Sequence, residues 1–209
     1  MSRIGIKLDG IVINQVEFQK RYGSFFFKRN PRSVQPYVSS FRSMFSCTKE
    51  ENDKFWKRYY VKYCLSQECE KDSVDVINQL KQDDNEIFLI VTRPFNFRNN
   101  WRDYFSRKFL EVWLKKHQIK CDEIIVCDEN DISEVCEQFE FNVLIEDKIG
   151  SAINASETVQ DILLFDRPYN QGLEEILNIT RVYNFKDVYS QINSDAKVRG
   201  LSRCKDIKY

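Results

Sequence analysis

Three short apolar runs of the sequence are each followed at once by side chains that could do chemistry. Lys7 and Asp9 close the first run, Thr92 follows the second, and Glu146 and Asp147 follow a later one. Carboxylates that converge at strand ends can hold a divalent cation, and such a cation can in turn bind a phosphoryl group. The same residue types also suit helix and turn capping, and one alternative is that Asp9, Thr92 and Glu146 serve only that role.

The strands that precede these residues decide where their side chains lie. The apolar runs are of strand length and rich in branched residues, and stretches of helical length lie between them. Strands that alternate with helices predict an α/β fold with a Rossmann-like parallel sheet and helices on both faces. Chemistry in such a sheet collects at the carboxyl ends of the strands. The predicted strands are Ile4 to Leu8, Ile87 to Val91, Ile124 to Cys127, Val143 to Ile145 and Ile162 to Phe165.

A long interval rich in aromatic residues separates the first predicted strand from the second, and a simple crossover needs far fewer residues. Helical spacing runs from Glu50 to Tyr63, and Thr48 has the residue type and position of an N-cap. We therefore interpret residues 14–64 as a small helical cap, inserted into a core formed by residues 1–13 and 65–209. Most aromatic side chains of this cap would form its own small core, and one or two could face the cleft and bind a ring.

Composition excludes some broad classes of function. The chain has 32 basic and 32 acidic residues, so it lacks the positive field that general nucleic-acid binding requires. Its 7 cysteines are odd in number and form no close pairs in sequence, which indicates reduced thiols. The sequence shows neither a charged-then-apolar leader nor an apolar stretch of membrane-spanning length. We therefore expect a cytoplasmic protein that does not associate with membranes.

The motifs at the strand ends resemble those of the haloacid dehalogenase-like superfamily, and within it the 5′(3′)-deoxyribonucleotidase type and related bacterial nucleotidases. The resembling segments are Ile4 to Ile11, Ile90 to Arg93 and Val143 to Asp147, and supporting similarity covers almost the whole chain. The resemblance implies the core and cap of that superfamily. It also implies a reaction in which a first aspartate attacks phosphorus and a second acts as acid and then base.

The resemblance assigns a role to five residues of this sequence. Asp9 matches the acid/base aspartate, and Thr92 and Arg93 match the phosphate-binding segment. Glu146 and Asp147 match the acidic residues that help hold Mg²⁺.

Other positions depart from the family pattern. Lys7 stands at the nucleophile position and has no carboxylate with which to form an acyl phosphate. Ile11 replaces a threonine of the first motif, and Ile132 stands where the phosphate-binding lysine is expected. Lys148 adds a further cation beside the metal position, although its side chain could equally point to solvent. These changes favour an ammonium group over a divalent cation. We expect Lys7 to pair with Asp147, and Asp9 and Glu146 are the alternative additional partners.

The sequence therefore favours a catalytically inactive relative of nucleotidase-type phosphatases. Such a protein would act without a cofactor, by binding a partner protein or a small anionic or nucleotide-like ligand. One alternative is an active phosphatase of small phosphate monoesters that uses Mg²⁺, with Glu146 or a water molecule in place of the lost nucleophile. Another is a structural subunit that completes an oligomer with an active homologue, for which an exposed apolar patch on the cap would be the sign.

Overall fold

One parallel sheet forms the centre of the protein. The computed structural model describes residues 1–32, 40–92, 101–172, 176 and 178–203, with the backbone alone for residues 101–106 and 195–203. The strands in this part of the chain are β1 (Arg3–Lys7), β2 (Glu86–Val91), β3 (Glu123–Val126), β4 (Val143–Glu146), β5 (Asp161–Phe165) and β6 (Ile179–Val182). Their order across the sheet is β3-β2-β1-β4-β5-β6, and every neighbouring pair is parallel. The predicted Rossmann-like α/β fold is confirmed.

The helices surround this sheet and also form the insertion after β1. They are α1 (Gln15–Phe27), α2 (Phe41–Phe45), α3 (Lys49–Ser66), α4 (Ser73–Gln82), α5 (Trp101–His117), α6 (Ile132–Gln138), α7 (Ile149–Ala155) and α8 (Phe185–Arg203). A short 3₁₀ turn, Glu129–Asp131, precedes α6. Over the described residues, none of these helices is both long and apolar enough to cross a membrane.

Alternation along the strands divides the interior into two apolar layers. On β2, Ile87, Leu89 and Val91 face one layer, whereas Phe88 and Ile90 face the other. Successive side chains of a strand point to opposite faces, so a strand with both faces covered is apolar throughout. The carboxyl ends of β1 and β2 are therefore buried inside the protein.

The inserted helices α1, α2 and α3, which we call the cap, pack on one another and, through α3, on α5. Thr48 begins α3 with the expected cap: its hydroxyl accepts from the backbone N–H of Glu51, and the Glu51 carboxylate accepts from the N–H of Thr48. Aromatic rings fill the cap interior, including Phe41 stacked on Phe55 with their centroids 4.0 Å apart. The cap shares its buried cluster with one face of the sheet, and Tyr63 of α3 reaches Asp9 just after β1, so the cap lies at the carboxyl end of β1.

Candidate functional site

Lys7 is the last residue of β1, and the register of the sheet fixes its position. Ile6 of β1 is paired with Ile145 of β4, so Lys7 and Glu146 are the next residues on two neighbouring strands. Parallel strands of one register present these side chains on the same face. The Lys7 side chain is only 1% exposed, which makes it one of the largest fully buried side chains of the protein.

Three carboxylates surround the ammonium group of Lys7. Its Nζ lies 2.6 Å from Glu129 Oε1, 2.9 Å from Glu146 Oε1 and 3.1 Å from Asp147 Oδ1. The expected pair with Asp147 is present, and so is the pair with Glu146. Glu129, which the sequence analysis did not single out, makes the shortest of these contacts. A buried ammonium needs such partners, because burial of an unpaired charge is very costly.

The charged groups at this centre shift one another's pKa values. Burial alone would lower the pKa of Lys7, but Asp147, Glu146 and Glu129 together hold it well above its usual value. Burial also opposes ionisation of Asp147, yet the charge of Lys7 lowers the Asp147 pKa to about 2. Burial raises the pKa of Glu146 to about 8, and the charge of Asp147 adds to this rise against the opposite effect of Lys7. At neutral pH the centre therefore holds a charged Lys7 and an ionised Asp147.

Glu146 accepts three hydrogen bonds through a single oxygen. Besides Lys7, the backbone N–H groups of Asp147 and Lys148 donate to Oε1 at 2.7 and 2.9 Å. Its side chain is fully buried, and it lies behind Lys7 rather than in the cavity wall. This arrangement makes Glu146 part of the internal support for Lys7.

Asp9 lies on the tight turn that follows β1. The phenol of Tyr63, from the last turns of α3, donates a hydrogen bond to Asp9 Oδ1. Gly10 adopts a φ of +103°, and a Cβ at this position would overlap the Asp147 carboxylate. Glycine alone combines that backbone conformation with so close an approach. The turn therefore lies close against Asp147, and a cap tyrosine is hydrogen-bonded to Asp9, the residue that the resemblance matches to the acid/base aspartate.

The segment 167–170, after β5, forms hydrogen bonds to the same centre from the other side. The Tyr169 hydroxyl donates to Asp147 Oδ2, and Asn170 Nδ2 donates to the backbone oxygen of Asp147 at 2.8 Å. Arg167 Nε donates to the carbonyl of Gly10 at 2.9 Å. These bonds fix both the turn after β1 and the residue after β4.

A cavity of about 370 Å³ opens between the cap and the strand ends. Its cap side is formed mostly by neutral side chains, and its core side mostly by charged ones. The cap residues are Gln15, Val16, Gln19, Ser40, Phe41, Arg42, Asn52 and Trp56; the core residues are Lys7, Asp9, Gly10, Thr92, Asp128, Glu129, Asp147, Lys148 and Tyr169. Lys148 therefore faces the cavity, and its Nζ lies 2.7 Å from Glu129 Oε2.

The structure brings together most residues that the sequence analysis selected. Lys7, Asp9, Thr92 and Asp147 all line the cavity, with Glu146 directly behind Lys7. Arg93 lies outside the described residues. At the expected place of the phosphate-binding lysine, Ile132 is 1% exposed and packs in one of the two apolar layers. The catalytic, phosphate-binding and metal-binding roles assigned from the resemblance remain predictions.

Four residues of the site escaped the sequence analysis. Glu129 had a recognisable signal, because it belongs to an acidic run directly after β3, at the same edge of the sheet. Tyr63 and Tyr169 belong to segments that support the resemblance but carry no motif of their own. Gln19 lies on the cap helix α1, with no local signal beyond its helical spacing.

Comparison with known proteins agrees with the geometry. No family model matches the chain. A nucleotidase from Clostridium acetobutylicum is 28% identical over 145 residues, which cover 69% of each chain. A crystal structure of a predicted phosphatase from the same organism superposes with a TM-score of 0.60 and 14% identity, over 92% of this chain and 98% of that one. A haloacid dehalogenase-like hydrolase from Streptococcus pneumoniae superposes with a TM-score of 0.55 and 14% identity, over 79% and 85%.

The chain has the fold of haloacid dehalogenase-like proteins. Its sheet order and the insertion after β1 carry this assignment together, and the similarity to a nucleotidase agrees with the motifs at the strand ends. Because function depends on the site rather than the fold, the unusual centre around Lys7 decides what a protein with this fold and site can do.

The residues at this centre do not fit the Mg²⁺ that the superfamily implies. Lys7 Nζ lies within 3.1 Å of Glu129, Glu146 and Asp147, so an ammonium group already occupies the space between these carboxylates. A cation bound there would have to displace a paired, buried charge. Among the described residues, no set of three or more metal-ligating side chains is arranged to hold an ion.

Proposed function

We propose that this haloacid dehalogenase-like protein is catalytically inactive and binds a small, nucleoside-like ligand in the cavity between cap and core. The observation that carries the proposal is the ion-paired Lys7 at the nucleophile position. An ammonium group cannot form an acyl phosphate, and one that is 1% exposed with a raised pKa is not a free amine nucleophile. The reaction implied by the resemblance therefore loses its first step.

Three described side chains that could take the place of the nucleophile are each engaged or held protonated. Glu146 lies behind Lys7 with its Oε1 already accepting three hydrogen bonds. Cys127, at the end of β3, is half-buried, and burial together with nearby acidic residues raises its thiol pKa to about 12. Asp9 is hydrogen-bonded by Tyr63. These contacts count against the alternative of a working phosphatase with a substitute nucleophile.

The charge of the cavity wall favours a ligand without a phosphate group. The described core side carries four carboxylates and two lysines, and both lysines already contact Glu129. Arg42 adds one cation from the cap. A wall with this balance of acidic and basic groups attracts an anion only weakly. We therefore favour a neutral ligand over the anionic ligand considered from the sequence. The volume, about 370 Å³, suits a small molecule.

The alternative of a structural subunit receives little support from the cap surface. Phe25 is 68% exposed and Val61 is 51% exposed, on helices α1 and α3 respectively. Single apolar residues at a surface are normal in monomeric proteins and do not define an interface. A protein partner stays a prediction.

Two measurements on the purified protein test the proposal. A panel of nucleoside monophosphates and other phosphate monoesters with Mg²⁺ should release no phosphate above background. Thermal denaturation should show that nucleosides raise the melting temperature about as much as their monophosphates. Turnover that depends on Mg²⁺ would refute the proposed inactivity. A much larger stabilisation by the monophosphate would show an intact phosphate subsite.

A further inference from the structure

Gln19 is a buried amide in the cap that lacks a complete set of hydrogen bonds. It lies on the inner face of α1 with 6% of its surface exposed, and it lines the cavity. Within the described part of the chain, its Oε1 is buried and accepts no hydrogen bond. Buried polar atoms in folded proteins almost always have a partner, because an unmet one opposes folding. An exception that faces a cavity suggests that a ligand supplies the missing bond.

Packing of the cap holds this amide in place. Gly23 lies one turn after Gln19 on the same face of α1, and a Cβ there would overlap the rings of Phe41 and Phe45. The glycine therefore lets α1 approach α2 closely. This approach places Gln19 in the same wall as Phe41 and Trp56, which are also buried and line the cavity. The amide thus belongs to the same cavity wall as these two apolar rings.

We propose that the Gln19 amide is the specificity-determining group for the ring of the bound ligand. A primary amide offers a donor and an acceptor side by side, and rotation of its terminal group exchanges them. It therefore matches a heteroaromatic ring that carries a donor next to an acceptor, as the edges of nucleobases do. Phe41 and Trp56 supply apolar contact to such a ring. This inference rests on the proposed function and names the group that selects the ligand.

The test compares Gln19→Leu with Gln138→Leu in the full chain. Gln138 is an exposed glutamine on α6 that does not line the cavity, so it is a control for the same change on a helix outside the binding site. Four probes are used, namely adenosine, guanosine, cytidine and uridine, with ribose as a ligand control. Affinity is measured by calorimetry and apo stability by thermal denaturation.

Gln19→Leu should weaken binding of the best nucleoside by about tenfold or more, since it removes the group that pairs with the ring. The same change should raise the apo melting temperature by about 2 to 4 °C, because an unmet buried acceptor is removed. A purely structural glutamine would give the opposite shift in stability. Gln138→Leu should change both quantities little.

The outcomes separate this inference from the proposed function. Nucleoside binding by the unaltered protein that Gln19→Leu leaves unchanged would refute the role of Gln19 alone. A lower apo melting temperature for Gln19→Leu would also refute it, since the amide would then be a structural group. Failure of every nucleoside to bind the unaltered protein would refute the proposed ligand class, and the role of Gln19 with it.

Discussion

Replacement of Lys7 by methionine should destabilise the protein strongly, although methionine has nearly the same length and shape. The change removes the ammonium group that lies within 3.1 Å of all three carboxylates, those of Glu129, Glu146 and Asp147. Glu146 and Asp147 have side-chain exposures of only 1% and 3%, so solvent cannot take the place of the ammonium. Loss of one partner from a buried ion pair costs about 3 to 5 kcal/mol. For a chain of 209 residues, that cost lowers the melting temperature by about 6 to 20 °C.

Urea denaturation monitored by tryptophan fluorescence would measure this loss, with Lys20→Met as the matched control. Lys20 forms an ion pair with Glu17 at 2.8 Å, but both side chains are partly exposed. Exposed pairs contribute about 1 kcal/mol at most, so the control should lose little. If Lys7→Met were also within about 1 kcal/mol of the unaltered protein, the buried charge centre would not be as important as we infer.

Three further predictions concern the same centre. Lys7→Asp should recover little phosphatase activity, but its melting temperature should become dependent on Mg²⁺. A clear Mg²⁺-induced rise in the melting temperature of the unaltered protein would contradict our view of the site. Burial raises the pKa of Glu146 to about 8 in the folded protein, whereas an unfolded glutamate has a pKa of about 4.3. Between these values the folded state binds more protons than the unfolded state. The free energy of unfolding should therefore fall as pH rises from about 5 to 8. Glu146→Gln should flatten that dependence in urea titrations at several pH values, whereas an unchanged slope would assign it to another group. Tyr63→Phe removes a hydrogen-bond donor to Asp9 and should lower the free energy of unfolding by about 1 to 3 kcal/mol. Backbone amides at the end of α3 should then exchange hydrogen faster. Unaltered exchange there would show that this hydrogen bond does not hold the cap in place.

The features of the fold that the sequence predicted are those set by local pattern. Runs such as Ile87 to Val91 have the length and branching of buried strands, so each gave a strand near its expected position. Thr48 formed its cap because a capping box needs only residues close in sequence. Convergence of Lys7, Glu146 and Asp147 was predictable as well, since parallel strands of one sheet end at the same edge.

The partners of those residues could not be predicted, because they depend on how distant elements pack. Tyr63 reaches Asp9 only because α3 packs over the carboxyl end of β1, and Tyr169 reaches Asp147 only through the course of the segment after β5. The burial of Gln19 depends on the close approach of α1 and α2. Sequence spacing carries no information on such contacts, whereas the acidic run that contains Glu129 did mark a strand end.

The resemblance implies that Lys7 stands where the family has an aspartate and a bound Mg²⁺, and such an exchange would preserve the charge of the site. In the reaction implied by the resemblance, an aspartate and a bound Mg²⁺ together contribute one net positive charge to the surrounding acids. The ammonium of Lys7 contributes the same net charge through one covalently attached group, and its stem is long enough to reach Glu129, Glu146 and Asp147. Under the proposed function, Lys7 therefore balances the charge of the acidic strand ends without an ion. A lysine supplies no such nucleophile, so on this proposal the cavity is retained while the reaction implied by the resemblance is lost.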